Sequence, residues 1–361
     1  MIYDVIIIGA GQAGLATAYF LQQQGKNIVV LEQGPVLGSA WLGRYDSLTL
    51  FTPARYSCLP GLSFPLPDNL CPNRQQVASY FSRYAEVYGL PIKTEQRVIS
   101  LVQVGDCFEV QAENATGLSL FTARRVVIAT GASQHPFVPS YTTQPDVSVF
   151  QVHSSQYTNP RMLPVGDVLV VGAGNSGAQL SVELATTAAS SQRRVYLSIR
   201  HPLVFKPLSI LGKSIFWWGE KTGLFNLSID AWPGRRFKGK PEGVYSDTLK
   251  QLISLGRVVV VPEIQSFAGR TIRLSDGRVI ECQSILWATG YRSDYRWVKV
   301  PGALDKDGQP IHRNGVSVVK GIYFVGLAWQ RTITSALIQG AGKDAAFIAE
   351  VIRKRSQAFP G

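Results

Sequence analysis

Charge is sparse in this chain. Asp, Glu, Lys and Arg make up 17% of its 361 residues, against 45% hydrophobic residues. That balance excludes a disordered chain and leaves a folded globular one, long enough for two domains. Nowhere do eighteen uncharged apolar residues run together, so no membrane-spanning helix and no stable membrane insertion is expected. The first apolar run starts at Ile2, which leaves no room for a cleaved leader, and the expected location is cytoplasmic. Cysteine is scarce too: Cys58, Cys71, Cys107 and Cys282 lie far apart, with no C-x-x-C or closer redox pair. Cys58 and Cys71 share a Pro-rich loop and could meet, but buried free thiols are the default for all four. No Ser-His-Asp set, metal-ligand cluster or carboxylate pair is evident. Acids are outnumbered by bases, 24 to 36, for a net charge of +12. Such an excess suits nucleic acid, an acidic membrane face or anionic small molecules. The basic clusters are short (Arg193-Arg194, Arg235-Arg236-Phe237-Lys238 and Arg353-Lys354-Arg355) and no nucleic-acid motif accompanies them. They read as solvated faces, and no nucleic-acid partner is expected.

What the chain does have is glycine in a fixed pattern, twice. Gly9-Ala10-Gly11-Gln12-Ala13-Gly14 follows the apolar run Tyr3 to Ile8. Gly172-Ala173-Gly174-Asn175-Ser176-Gly177 follows the run Asp167 to Val171. In G-x-G-x-x-G the first glycine makes a strand-to-helix turn. The second lets backbone approach a pyrophosphate, and the third lets helix and strand pack closely. The phosphates then sit at the helix N-terminus, where free N–H groups and the dipole favour an anion. One match is weak evidence, but two behind buried strands point to two dinucleotide sites.

The residue ending the next strand of each unit separates the sites. Asn27 to Leu31 ends in Glu32, whose carboxylate can accept hydrogen bonds from a ribose 2′-hydroxyl, as on the adenosine of FAD or NAD. Arg194 to Ile199 ends in Arg200, and a guanidinium there suits the 2′-phosphate of NADPH. The asymmetry reads as FAD first and NADPH second.

The plan also repeats. Each fingerprint leads through short strands to an Ala-Thr-Gly: Ala129-Thr130-Gly131 after Arg125 to Ile128, and Ala288-Thr289-Gly290 after Ser284 to Trp287. The spans from Gly9 to Gly131 and from Gly172 to Gly290 are nearly equal. The fold class is therefore α/β, with two Rossmann-like dinucleotide-binding domains and the NADPH domain inserted into the FAD domain. Expected boundaries are 1–158 and 284–361 for the two parts of the FAD domain and 159–283 for the NADPH domain. In the second unit, the runs Arg257 to Val261 and Thr271 to Leu274 are read as short strands. Gly34 to Pro72 reads as a long ordered loop. Gln75 to Tyr88 reads as a helix whose stripe Val77, Tyr80, Phe81, Tyr84 and Val87 is core. Gly321 to Gly326 reads as a strand returning to the first sheet. Thr334 to Arg355 reads as a final helix, its positive end aimed at the flavin. The aromatic and basic segment from His201 to Asp247 departs from the repeat, and three readings stay open: extra core, a substrate lid, or a membrane-surface contact.

These landmarks resemble the flavin-containing monooxygenase family, in its short bacterial branch, and the related plant auxin-forming flavin monooxygenases. The likeness spans essentially the whole chain. It rests on both fingerprints, on Trp41 through Pro60 with Tyr45-Asp46-Ser47-Leu48 and Cys58-Leu59-Pro60, and on Ala288-Thr289-Gly290-Tyr291. Of the family's linking signature, F-x-G-x-x-x-H-x-x-x-[YF], His153 and Tyr157 are present, while Val147 and Val149 replace the Phe and Gly. The related ketone-to-ester signature has Trp where Tyr157 stands. His153 is read as structural, and no residue is assigned as acid or base.

The resemblance implies an FAD- and NADPH-dependent monooxygenase. One oxygen atom of O2 would pass, through a C4a-hydroperoxyflavin guarded by NADP+, to a small soft nucleophile such as a sulfide or amine. A flavin reductase or oxidase without oxygen transfer, and a flavin-bearing redox accessory or sensor protein, are the alternatives. The FAD candidates are Gly9, Gly11, Gln12, Ala13, Gly14, Glu32, Gln33, Trp41, Thr52, Val98, Ala129, Thr130, Gly131 and Gly326. The NADPH candidates are Gly172, Gly174, Asn175, Ser176, Gly177 and Arg200. No metal is expected, the partners are O2 and a small-molecule substrate, and a homodimer is left open.

Overall fold

In a computed structural model of the chain, residues 1–141, 144–187, 193–232 and 243–358 are described. The two apolar runs ahead of the fingerprints become the strands Val5–Ile8 and Val168–Val171, both buried along their whole length. A strand apolar on both faces belongs inside a sheet covered on both sides.

The sheet around Val5–Ile8 has seven strands. In spatial order they are 312–313, 316–317, 322–324, 126–128, 5–8, 28–31 and 92–93. The five from 322–324 to 92–93 run parallel, and the hairpin 312–317 closes one edge antiparallel. The sheet around Val168–Val171 has five strands, all parallel: 150–153, 284–287, 168–171, 195–198 and 258–261.

Period-two alternation then sorts the side chains into layers. Val5 and Ile7 face a cluster shared with the helices Gln12–Gln23, Arg74–Tyr88 and Ile338–Ala358. Ile6 and Ile8 face the antiparallel meander of Arg97–Val104, Cys107–Asn114 and Gly117–Ala123. In the second unit Val168 and Val170 face the helices Asn175–Thr187 and Asp247–Ser254. Leu169 and Val171 face the meander of Ile264–Ala268, Thr271–Leu274 and Val279–Glu281. The same three-layer plan is thus built twice. The chain leaves the first sheet after Val126–Ile128 and returns at Ile322–Phe324, paired beside it in parallel. This is the expected α/β architecture, one Rossmann-like unit inserted in another.

Several details differ from the sequence reading. Phe150–His153 and Ser284–Trp287, which the boundaries at 158 and 284 leave with the first unit, pair in the second sheet. Both short runs are strands as read, Val258–Val261 in the parallel sheet and Thr271–Leu274 in the meander. The helix before Tyr88 starts at Arg74, because Asn73 and Gln76 form a reciprocal capping box. Its apolar stripe ends on Tyr88, four residues beyond Tyr84, and Val87 is exposed. The last helix begins at Ile338, not Thr334. The Ser335 hydroxyl accepts from the N–H groups of Arg331 and Thr332, and such local side-chain bonds compete with a helical first turn.

Candidate functional site

Both fingerprints have one geometry, and it divides the work among the glycines. Gly9 donates its N–H to the Leu31 carbonyl at 2.7 Å, and Gly172 donates to Ser198 at 3.0 Å. Both are left-handed, with φ of +101° and +104°. A Cβ on Gly9 would stand 2.7 Å from the Ala129 carbonyl oxygen, and one on Gly172 2.5 Å from that of Ala288. The two Ala-Thr-Gly strand ends therefore recur because each wedges its alanine carbonyl against a first glycine. A Cβ on Gly14 would overlap the Gly9 carbonyl, and one on Gly177 the Gly172 carbonyl. First and third glycines thus serve the protein's own packing.

The middle glycines do not. No atom lies within 4 Å of a Cβ placed on Gly11 or Gly174. Gly11 is extended backbone, which any residue adopts, and it opens the helix Gln12–Gln23 without a side-chain cap. Nothing in the fold requires glycine there. The space at the helix N-terminus fits a dinucleotide pyrophosphate in both units.

The side chains beside the two cradles differ in sign. Both Glu32 oxygens are held: Oε2 accepts the Ala10 N–H at 2.7 Å and Oε1 the Gly34 N–H at 2.8 Å. The carboxylate is fixed against the first cradle, with lone pairs left for a ligand. Arg200 is exposed, with Nε 3.2 Å from Glu263 Oε2. It does not stand in the position of Glu32. Leu31 and Ser198 are equivalent through their bonds to the first glycines, so Ile199 matches Glu32 and Arg200 comes one residue later.

The other candidates gather unevenly. Gly326 has φ +89°, and a Cβ there would stand 2.8 Å from the Ala13 side chain, so it abuts the first cradle. Ala129 bonds to Ile8 beside Gly9, and Thr130 and Gly131 both accept from the Gln134 side chain. Gln33 is exposed. Val98 lies on the first meander strand, two residues past Gln96, whose N–H donates to the Glu32 carbonyl. In the segment 34–72, Trp41 lies on the short helix Ser39–Leu42, edge-on to Phe81 at 6.4 Å, and Thr52 is buried in the loop beyond it. Asn175 accepts from the Tyr245 N–H at 3.5 Å, and Ser176 bonds to the Tyr45 hydroxyl.

A set of cross-links between the two units escaped the sequence reading. Buried Tyr45 donates to Gln179 Oε1 at 2.8 Å, and burial pushes its pKa up to about 12. Arg44 donates to the Tyr291 hydroxyl at 2.5 Å and lies over its ring. Phe51 stacks on Tyr245 at 5.0 Å. Within the second unit's own core, wholly buried Tyr157 donates to Glu183 Oε2 at 2.8 Å. His153 is buried with Nε2 3.0 Å from the Gly290 carbonyl, and burial holds its pKa below the usual histidine value. Tyr45 and Tyr157 were visible as landmarks, but their partners are more than twenty residues away, beyond any local pattern.

The segment from His201 to Asp247 divides. Leu203, Phe205 and Val244 join the second unit's core, whereas Phe216 and Phe225 pack on Tyr56, Phe51 and Leu337 of the first unit. The basic cluster 235–238 lies outside the described residues.

The family model for pyridine nucleotide-disulphide oxidoreductases matches residues 6–208. The CzcO-like oxidoreductase of Geobacillus kaustophilus is 43% identical over 347 residues, covering 96% of this chain and 97% of its own. The indole-3-pyruvate monooxygenase YUCCA4 of Oryza sativa is 30% identical over 366 residues, covering 90% and 82%. The chain belongs to the flavin monooxygenase family. The flavin-containing monooxygenase of Stenotrophomonas maltophilia superposes on it with a TM-score of 0.78 at 25% identity, over 98% of this chain and 99% of that one. As a flavin monooxygenase, the chain is an oxidoreductase that uses FAD and NADPH. Its cysteines are free thiols, and among the described residues no cluster of three or more His, Cys, Asp or Glu could hold a metal. Among the same residues no helix is long and apolar enough to cross a membrane.

Proposed function

We propose that this flavin monooxygenase holds FAD on the first cradle and NADPH on the second, and oxygenates a small soft nucleophile such as a sulfide or amine. The observation that carries the reading is the pair of middle glycines, each open where its neighbours are packed tight. Bound FAD supplies hydride acceptance from NADPH and activation of O2 for transfer of one oxygen atom.

The chain's own part is binding, orientation and exclusion of water. Gly11 and the N-terminus of Gln12–Gln23 receive the FAD pyrophosphate, and Glu32 takes the ribose hydroxyls. Gly174 and the N-terminus of Asn175–Thr187 receive the NADPH pyrophosphate, and Arg200 exchanges Glu263 for the 2′-phosphate. That exchange is easy because an exposed ion pair contributes little. The cross-links of Arg44, Tyr45 and Phe51 fix the two units against each other. By holding the two cradles at a fixed separation they would orient the two bound cofactors toward each other and limit the entry of water between them. No protein acid or base is assigned, because a soft nucleophile carries its own lone pair.

The test follows the oxygen. With 18O2, NADPH and a panel of small sulfides and amines, the expected result is one labelled oxygen in the product. Hydrogen peroxide should fall short of NADPH consumed by the same amount. Peroxide equal to NADPH across the panel, with no labelled product, contradicts the reading.

A further inference from the structure

The helix Ile215–Lys221 and the hairpin ahead of it have two unlike faces. Inward, Phe216 and Phe225 are buried against Tyr56. Glu220, the helix's one acid, turns to the same side. It accepts from the Tyr56 hydroxyl at 3.0 Å and lies 3.6 Å from Arg55. Outward, the hairpin of Ser209–Ile210 and Lys213–Ser214 ends in an apolar tip. Leu211 is 86% exposed in left-handed backbone (φ +50°), and Ile210 is 47% exposed. The Trp218 indole N–H donates to the Ile210 carbonyl at 2.9 Å, and Trp217 packs edge-on to Trp218 at 4.8 Å. The Lys213 and Lys221 ammonium groups lie 5.8 and 5.9 Å from the Trp217 ring. The exposed tip and the two lysines thus stand beside a pair of half-buried indoles, and the helix's acid is engaged on the other side.

We propose that this surface docks the enzyme on an anionic lipid bilayer. The Ile210–Leu211 tip enters the interface, and Lys213 and Lys221 meet the lipid phosphates. Indole rings favour the headgroup level, and here the Trp218 N–H is already satisfied by the Ile210 carbonyl, so that ring brings its apolar body without an unpaired donor. Lysines there gain from the negative surface potential while their stems stay in apolar surroundings. The net charge of +12 draws the whole molecule to the same kind of surface. A nucleic acid would satisfy the lysines and leave Leu211 in water. An uncharged protein surface would satisfy Leu211 and leave the lysines without a counterpart. The contact is peripheral, and it stands or falls independently of oxygen transfer.

The test is flotation of the FAD-loaded enzyme with vesicles of phosphatidylcholine alone or mixed with phosphatidylglycerol. Binding is expected to the anionic vesicles only, and to weaken with salt. At about 1 kcal/mol per lysine, the double variant Lys213→Gln/Lys221→Gln should lower partitioning roughly thirtyfold. Leu211→Asp should release the protein as well, with flavin content and NADPH oxidation unchanged. No binding to anionic vesicles, equal binding to both kinds, or indifference to these variants overturns the proposal. So does a dimer lost in Leu211→Asp, or salt-sensitive binding to RNA in place of vesicles.

Discussion

Gly11→Val should yield a folded, soluble and colourless protein. The backbone at Gly11 is extended and a side chain there meets no protein atom within 4 Å, so the fold has no objection to valine. What valine occupies is the space of the pyrophosphate. Displacing that group costs on the order of 3 kcal/mol or more, a hundredfold or greater loss of FAD affinity. Gly14→Val should behave differently, because its Cβ overlaps the Gly9 carbonyl and helix and strand cannot both keep their places. That variant should be insoluble or markedly less stable. Flavin content and thermal unfolding of the two proteins separate the cases. A folded Gly11→Val protein with full flavin would mean that the first cradle does not hold FAD.

Gly174→Val should give the complementary result: yellow, folded, and no longer reduced by NADPH. Its Cβ also meets nothing within 4 Å, and Gly174 is not among the left-handed residues. Reduction by NADPH and by NADH should both fall about a hundredfold or more, since both carry the pyrophosphate. Chemical reduction by dithionite should proceed normally. Arg200→Ala provides the contrast, because only the 2′-phosphate is at stake. A charge-assisted contact of about 1.5–3 kcal/mol implies a ten- to hundredfold loss for NADPH, with NADH nearly untouched. Anaerobic reduction kinetics with each coenzyme reads both variants. Equal losses for NADPH and NADH in Arg200→Ala would show that the guanidinium is structural or binds a feature common to both.

The parts of the molecule legible in the sequence are those with local causes. A first glycine against an alanine carbonyl and a third glycine against the first are contacts that leave glycine no substitute, so both cradles announce themselves. The repeat was legible for the same reason, since Ala129 and Ala288 perform one packing task. Errors came where a competing local bond or a register decided. Ser335 unwinds what looked like the first turn of the last helix. Arg200 follows the equivalent of Glu32 by one residue, which only the bonds of Gly9 and Gly172 reveal. The tie between Tyr45 and Gln179 joins side chains brought together only by the packing of one unit on the other, and that between Tyr157 and Glu183 closes the second unit's own core across 26 residues, so neither has a local pattern. The segment from His201 to Asp247 resisted a single reading because it serves two units.

The central claim is that the two cradles work as one oxygenating site, in which NADP+ matters after it has delivered its hydride. The direct measurement is to reduce the enzyme anaerobically and mix it with O2, once with NADP+ present and once with NADP+ removed. Return of oxidised-flavin absorbance and release of hydrogen peroxide are followed together. With NADP+ bound, both should be slow and should lag O2 consumption; without it, both should be fast and simultaneous. A single phase of reoxidation, with the same rate in both experiments and peroxide appearing at once, would contradict the claim and leave a reductase or oxidase on the same fold.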